Sequence, residues 1–190
     1  MANELQYWDT CLFLRYLIEP PKNPKEQEQL EHVEALMQQA VKGELLIVVS
    51  TLVLAEIRPR AAYNARHERE VEDLFYRGRR NVKVQNVTPP IAALASRWGG
   101  SHNDLTAPDA VHVATALLEG ASVMYTFDGD VDKERNRSHK LLAFNGRLSD
   151  GARGPLKIEV PPTPPAPEAV QRSMFDSGPL DESEQSGLAH

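Results

Sequence analysis

The chain has 190 residues, 41% of them hydrophobic and 25% charged. That length suits one domain with a sizeable core and leaves no room for two well-packed ones. A single cysteine, Cys11, excludes an internal disulfide framework, and the apolar run LLIVVSTLVLA (45–55) has eleven residues where a membrane helix needs about 20.

Net charge is −6, from 21 basic and 27 acidic residues. Residues 161–190 hold one arginine, five acids and six of the fourteen prolines, so residues 1–160 are nearly neutral. A segment of that composition has too little apolar surface to offset its ordering entropy. The expected division is a folded domain over 1–160 and a Pro-rich acidic tail, disordered or extended, over 161–190. The N-terminal MANELQYWDT has acids and no basic stretch before an apolar one, so no signal peptide is expected. With the lone cysteine, this points to a cytoplasmic protein with no membrane contact.

The core alternates strands and helices. LQYW (5–8) reads as a short strand and 10–19 as a helix stopped by Pro20-Pro21. Asn23 caps a helix with Pro24 at its first position, and Gly43 ends it. LLIVV (45–49) is continuously apolar, the pattern of a parallel strand covered on both faces. Ser50 opens a helix to about Ile57, and residues 63–77 form a second, Arg-rich helix. A strand at 82–87, helices at 89–97 and 108–119, a strand at 122–127, a short helix near 138–144 and a strand at 156–160 complete the order. The alternation implies an α/β fold, a mainly parallel sheet of about five strands with helices on both faces.

In a parallel sheet, strand C-termini and the N-termini of the following helices share one edge. Asp9 directly follows the first strand, and Asp109 opens the helix 108–119. That helix descends about 16 Å at ~1.5 Å per residue, and the strand 122–127 climbs back a similar length, so Asp128 emerges beside Asp109. Glu56 lies one turn into its helix, where side chains tilt back toward the N-terminus and reach the edge. Four carboxylates, Asp9, Glu56, Asp109 and Asp128, are thus expected to converge. Packed like charges repel unless a cation joins them, and oxygen donors select hard ions such as Mg²⁺ or Mn²⁺. Such ions activate water and stabilise charge building on a phosphate. Each acid taken alone reads better as a helix cap or a solvated side chain; the joint pattern favours the cluster.

The strings YWDTCLFLRYL, VSTLVLAEI and APDAVHVATALLEGASVMYTFDGDV, in that order, resemble the PIN domain family, which includes the VapC-type ribonuclease toxins. The resemblance covers about residues 4–131. It maps the family acids onto Asp9, Glu56 (with Thr51 five residues earlier), Asp109 and, in a Thr-x-Asp element with Thr126, Asp128. It implies a three-layer α/β/α fold and Mg²⁺- or Mn²⁺-dependent hydrolysis of RNA to 3′-hydroxyl and 5′-phosphate ends. It further implies a homodimer and, for a toxin of a type II toxin–antitoxin pair, a cognate antitoxin.

Several secondary residues have two readings. Asp130 is a further metal ligand or a turn aspartate. Thr126 holds Asp128 through its hydroxyl. Thr10 and Ser50 orient Asp9 or cap helices, and capping is the favoured reading for both. His112, three residues after Asp109, touches a phosphate or the ion's water, or is a partly buried packing histidine; packing is favoured. Segment 58–83 has eight basic residues and four acids, and Arg58, Arg60, Arg79 and Arg80 are its candidate RNA-backbone contacts. The mixed string RHEREVED reads instead as a salt-bridged helix face.

Two other chemistries fail on the residues. DGDVDKERNRSH has Lys133 and His139 where a calcium-binding EF-hand loop needs Gly and Glu. An aspartyl-nucleophile phosphatase built on Asp128-Gly129-Asp130 would lack room for its downstream motifs. The competing reading from another class is a non-catalytic RNA-binding or scaffolding module on the same fold.

Overall fold

In the computed structural model, the residues described are 4–57, 63–77, 81–99, 102, 104–129 and 140–164. Five parallel strands form one sheet in the order β3-β2-β1-β4-β5. They are β1 (Glu4–Trp8), β2 (Leu45–Ser50), β3 (Val82–Gln85), β4 (Val123–Tyr125) and β5 (Lys157–Glu159). Between them run α1 (Thr10–Phe13), α2 (Pro24–Lys42), α3 (Leu52–Ile57), α4 (Ala65–Val71), α5 (Pro89–Gly99) and α6 (Ala107–Glu119). A 3₁₀ turn, Leu141–Phe144, lies between β4 and β5, where a short helix was expected near 138–144.

Local chemistry sets the element ends. Asn23 accepts the Glu26 N–H at 2.9 Å ahead of Pro24, and Gly43 closes α2 at φ +79°, a conformation that favours glycine. Two helices depart from the expected α-helical course. α1 runs on as a π-helical turn, Leu14–Ile18, and α4 as another, Glu72–Tyr76. The two meet through Phe13 and Phe75, whose ring centroids lie 5.0 Å apart.

Strand alternation divides the core into two layers. Trp8, Ile47, Val49 and Val123 face α1 to α4 with Leu12, Phe13, Val33 and Val53. Tyr7, Val48, Met124 and Ile158 face the opposite way, onto α5 and α6 with Ile91, Val113 and Leu117. Covering on both faces accounts for the uninterrupted apolar sequence of β2. The result is a three-layer α/β/α arrangement whose strands all end at one edge. Among the described residues no helix is long and apolar enough to cross a membrane.

Candidate active site

Asp9 leaves the end of β1, its N–H continuing the ladder to the Tyr125 carbonyl at 3.0 Å. Its extended backbone, φ −73° and ψ 160°, makes it the N-cap of α1. The carboxylate is buried. Oδ1 accepts the Thr10 N–H at 2.7 Å, while Oδ2 accepts the Thr126 hydroxyl at 2.7 Å and the Cys11 thiol at 3.2 Å. The favoured reading of Thr10 as a cap is therefore corrected. Asp9 caps the helix, because the strand ends there and a carboxylate satisfies the first free N–H. The Thr10 hydroxyl is left to donate to Glu56 Oε2, across 46 residues of sequence.

Glu56 rides on α3, whose start is set by Ser50: the Ser50 Oγ accepts the Leu52 N–H at 3.1 Å. Its Oε2 also meets His112 Nε2 at 3.1 Å. His112 is 1% exposed, with Nδ1 2.6 Å from the Tyr7 hydroxyl and Nε2 4.0 Å from Asp9 Oδ1. The favoured reading of His112 as a buried packing histidine stands, with burial complete rather than partial and a polar partner at each nitrogen. Burial opposes charge on the imidazole. The Glu56 hydrogen bond and the charges of Asp9, Glu56 and Asp109 outweigh it and carry the group above its ordinary value.

Asp109 is the third residue of α6. Thr106, the N-cap, accepts the Asp109 N–H at 3.3 Å and donates its hydroxyl to Oδ2 at 2.5 Å. Asp128 follows β4, with Oδ2 accepting the Leu141 N–H at 2.9 Å. Its own N–H goes to the Thr126 hydroxyl oxygen at 3.0 Å, so Thr126 ties Asp9 and Asp128 together. Gly129 then turns the chain at φ +106°, where a Cβ would stand 3.1 Å from that of Lys140 and 3.2 Å from that of Leu142. Only glycine takes that turn without strain.

Both of these acids are pushed up from the ordinary carboxylate value, chiefly by burial. At Asp109 the Thr106 bond opposes the rise, and the charges of Asp9 and Asp128 add to it. At Asp128 the Leu141 bond opposes, Asp9 adds and Lys140 opposes. Three carboxylates thus feel one another, with Glu56 joined to them through His112. Among the described residues, no three His, Cys, Asp or Glu side chains stand in an arrangement that would hold a metal ion. In donor type the residues do fit a hard divalent cation, since the donors are carboxylate oxygens and like charge adds to the burial that raises Asp109 and Asp128. Asp130, Arg58, Arg60, Arg79 and Arg80 lie outside the described residues.

Sequence reasoning missed Tyr7 and Cys11. Tyr7 has no exposed surface, and burial holds its phenol well above the usual value, so it keeps its proton. The available signal was a tyrosine two residues before Asp9, since a buried phenol needs a hydrogen-bond partner. A cleft of about 980 Å³ opens elsewhere, between the start of α2 and the segment after β5, and none of the four acids lines it.

The fold defines a class, the three-layer α/β/α proteins built on a parallel sheet. The PIN domain family model matches residues 7–135, more than half of the chain. The chain belongs to the PIN domain family. Among curated proteins, no relative matches it. Among solved structures, it is similar to VapC20 of Mycobacterium tuberculosis, described as a sarcin-ricin loop cleaving toxin. That match has 19% identity and a TM-score of 0.49, over 66% of this chain and 91% of that one. VapBC2 from Rickettsia felis, bound to a DNA fragment from its promoter, gives 14% identity and a TM-score of 0.45 over 66% and 89%. FitAcB from Neisseria gonorrhoeae gives 18% identity and a TM-score of 0.45 over 70% and 90%.

Proposed function

We propose that the protein is a metal-dependent endoribonuclease whose acidic sheet edge hydrolyses RNA phosphodiester bonds. The observation that carries this reading is the electrical coupling of Asp9, Asp109 and Asp128 in a PIN-family chain, with Glu56 held beside them by Thr10 and His112. Asp9, Glu56, Asp109 and Asp128 would hold Mg²⁺ or Mn²⁺, with Asp130 a further ligand. The chemistry supplied by such an ion is activation of the attacking water and neutralisation of charge on the phosphate. Around it the chain's own groups do fixed tasks. Thr126 orients Asp9 and anchors the backbone of Asp128. Thr10 and His112 aim Glu56, and Thr106 aims Asp109. In this reading Arg58, Arg60, Arg79 and Arg80 contact the RNA backbone, and the products carry 3′-hydroxyl and 5′-phosphate ends.

The partners that go with this reading are a second copy of the chain and, if it acts as a toxin, a small antitoxin covering the acidic edge in the cytoplasm. A neighbouring gene for a small protein that co-purifies with the chain and blocks cleavage supports the toxin role. A housekeeping nuclease would lack that neighbour.

One observation favours a second reading, a non-catalytic RNA-binding module: no described trio of side chains is set to hold a metal. The test is cleavage of RNA with Mn²⁺ or Mg²⁺. Asp9→Asn and Asp109→Asn are each expected to lose about 100-fold or more, beyond what loss of a supporting group costs. RNA binding without cleavage by the wild-type protein selects the scaffold. Cleavage that survives both substitutions moves the chemistry elsewhere.

A further inference from the structure

Among the described residues, two cationic side chains act by charge on Asp109 and Asp128. His112 acts on Asp109 and is 1% exposed. Lys140 acts on Asp128 and is partly exposed. Lys140 is therefore the one of the two that a ligand arriving from solvent can touch.

The backbone fixes where Lys140 stands. The Leu141 N–H donates to Asp128 Oδ2 at 2.9 Å, and the Leu142 N–H donates to the Asp128 carbonyl at 3.2 Å. Gly129 follows Asp128, and a Cβ there would come within 3.1 Å of the Lys140 Cβ. The bare glycine lets the two segments approach, so the Lys140 stem starts against the turn that carries Asp128.

The Lys140 ammonium has no partner of its own in the fold. Lys83, Lys157, Arg66, Arg77 and Arg153 each lie 2.6 to 3.9 Å from an acid. Among the described residues, Lys140 has no acid within 4.0 Å and no hydrogen-bond acceptor for its ammonium. Its charge reaches Asp128 without contact. That leaves three N–H donors on a flexible stem at the rim of a carboxylate cluster. A phosphodiester approaching such a cluster is repelled, and a cation at the rim offsets the repulsion while offering donors to a phosphate oxygen.

We propose that Lys140 binds a backbone phosphate of RNA beside Asp128. This deepens the ribonuclease reading and rests on it for the identity of the ligand. It places one contact of the strand on the Asp128 side of the acidic edge.

The test uses the full chain, Mn²⁺ and a short single-stranded RNA of mixed sequence. The quantity read is the slope of log kcat/KM against log salt concentration, or of log affinity by fluorescence anisotropy if the wild type binds without cutting. Lys140→Gln is expected to make the slope shallower by about 0.7, the share of one phosphate contact on a single strand, and to lower kcat/KM or affinity about 5-fold at ~0.1 M salt. Lys140→Arg should keep both wild-type values. Lys42→Gln is the control: it removes the same charge from an exposed position at the far end of the strands, and should change neither. An unchanged slope in Lys140→Gln overturns the proposal even if the rate falls, since a displaced Asp128 would slow cleavage without altering the salt dependence. An equal change in Lys42→Gln, or a Lys140→Arg protein that behaves like Lys140→Gln, overturns it too. Wild-type protein that binds RNA without cutting removes the ribonuclease reading alone, and the anisotropy slope still decides the role of Lys140. Wild-type protein that neither binds nor cuts RNA removes both.

Discussion

Asp9 and Glu56 differ from Asp109 and Asp128 in how the protein holds them. Asp9 accepts three hydrogen bonds, from the Thr10 backbone, the Thr126 hydroxyl and the Cys11 thiol. Glu56 is gripped by a hydroxyl and an imidazole. Among the described residues, the Asp109 and Asp128 carboxylates each take one donor, from Thr106 and Leu141, and both are pushed up by burial. The first pair is organised by neutral donors and a histidine drawn from elements far apart in sequence. The second pair is raised chiefly by burial, with like charge adding to it. A site built this way has one rigid half and one half that gains most from a cation.

Among the supporting residues, the largest expected effect breaks the half around Asp9. Thr126→Val removes the donor to Asp9 and the acceptor of the Asp128 N–H in a fully buried position. RNA cleavage should fall roughly 10- to 100-fold. Chemical denaturation should show a loss of about 1–3 kcal/mol from the unpaired buried groups. Thr126→Ser keeps the hydroxyl and should restore most of both, which separates positioning from lost packing.

The second prediction concerns Asp109 and Asp128. Asp109 and Asp128 bind protons more tightly in the folded chain than in the unfolded one. Their contribution to stability is present below the ordinary carboxylate value near 3.8 and is lost as pH rises through their raised folded values. The melting temperature in chelator should therefore carry a component that falls across that window. Mn²⁺ should oppose the fall, raising the melting temperature more at neutral pH than at acid pH. An equal Mn²⁺ shift at both pH values would remove the distinction between the two halves.

Thr106→Ala sharpens the comparison on a smaller scale. It removes the α6 cap, at about 1 kcal/mol, and the bond that restrains the rise of Asp109. The pH-dependent fall should then extend to higher pH, and Thr106→Ser should reverse it. The smallest effect is expected away from the acids, at the ion pair of Lys83 with Glu119. The Lys83 side chain is 49% exposed, so Lys83→Ala should cost a few tenths of a kcal/mol at ~0.1 M salt and leave cleavage unchanged.

The sheet and its acid-bearing edge could be read from the chain because their signals are local. The apolar run of β2, the Asn23-Pro24 opening and Gly43 close of α2, and the placement of Asp109 and Asp128 each depend on a few adjacent residues. The hydrogen-bond partners were hidden because they are distant. Tyr7 and His112 are 105 residues apart, and His112 and Glu56 are 56 apart. No periodicity reports which side chain a buried hydroxyl will find. Asp9 and Thr10 are both good caps, and the sequence does not say where the strand lets go. The π-helical turns escaped for a related reason: over five residues their apolar spacing does not differ from that of an α-helix.

The setting of Cys11, partly buried beside Asp9, has a practical use. Its thiol is pushed well above the usual value by burial beside the Asp9 charge, and it is the one cysteine in the chain. The thiolate is the nucleophile that attacks a maleimide, so this sulfur should react slowly with maleimides near neutral pH. A Glu44→Cys substitution, at an exposed position before β2 and at the opposite end of the strands from the carboxylates, should accept a fluorophore or a surface tether selectively, with the native cysteine left in place.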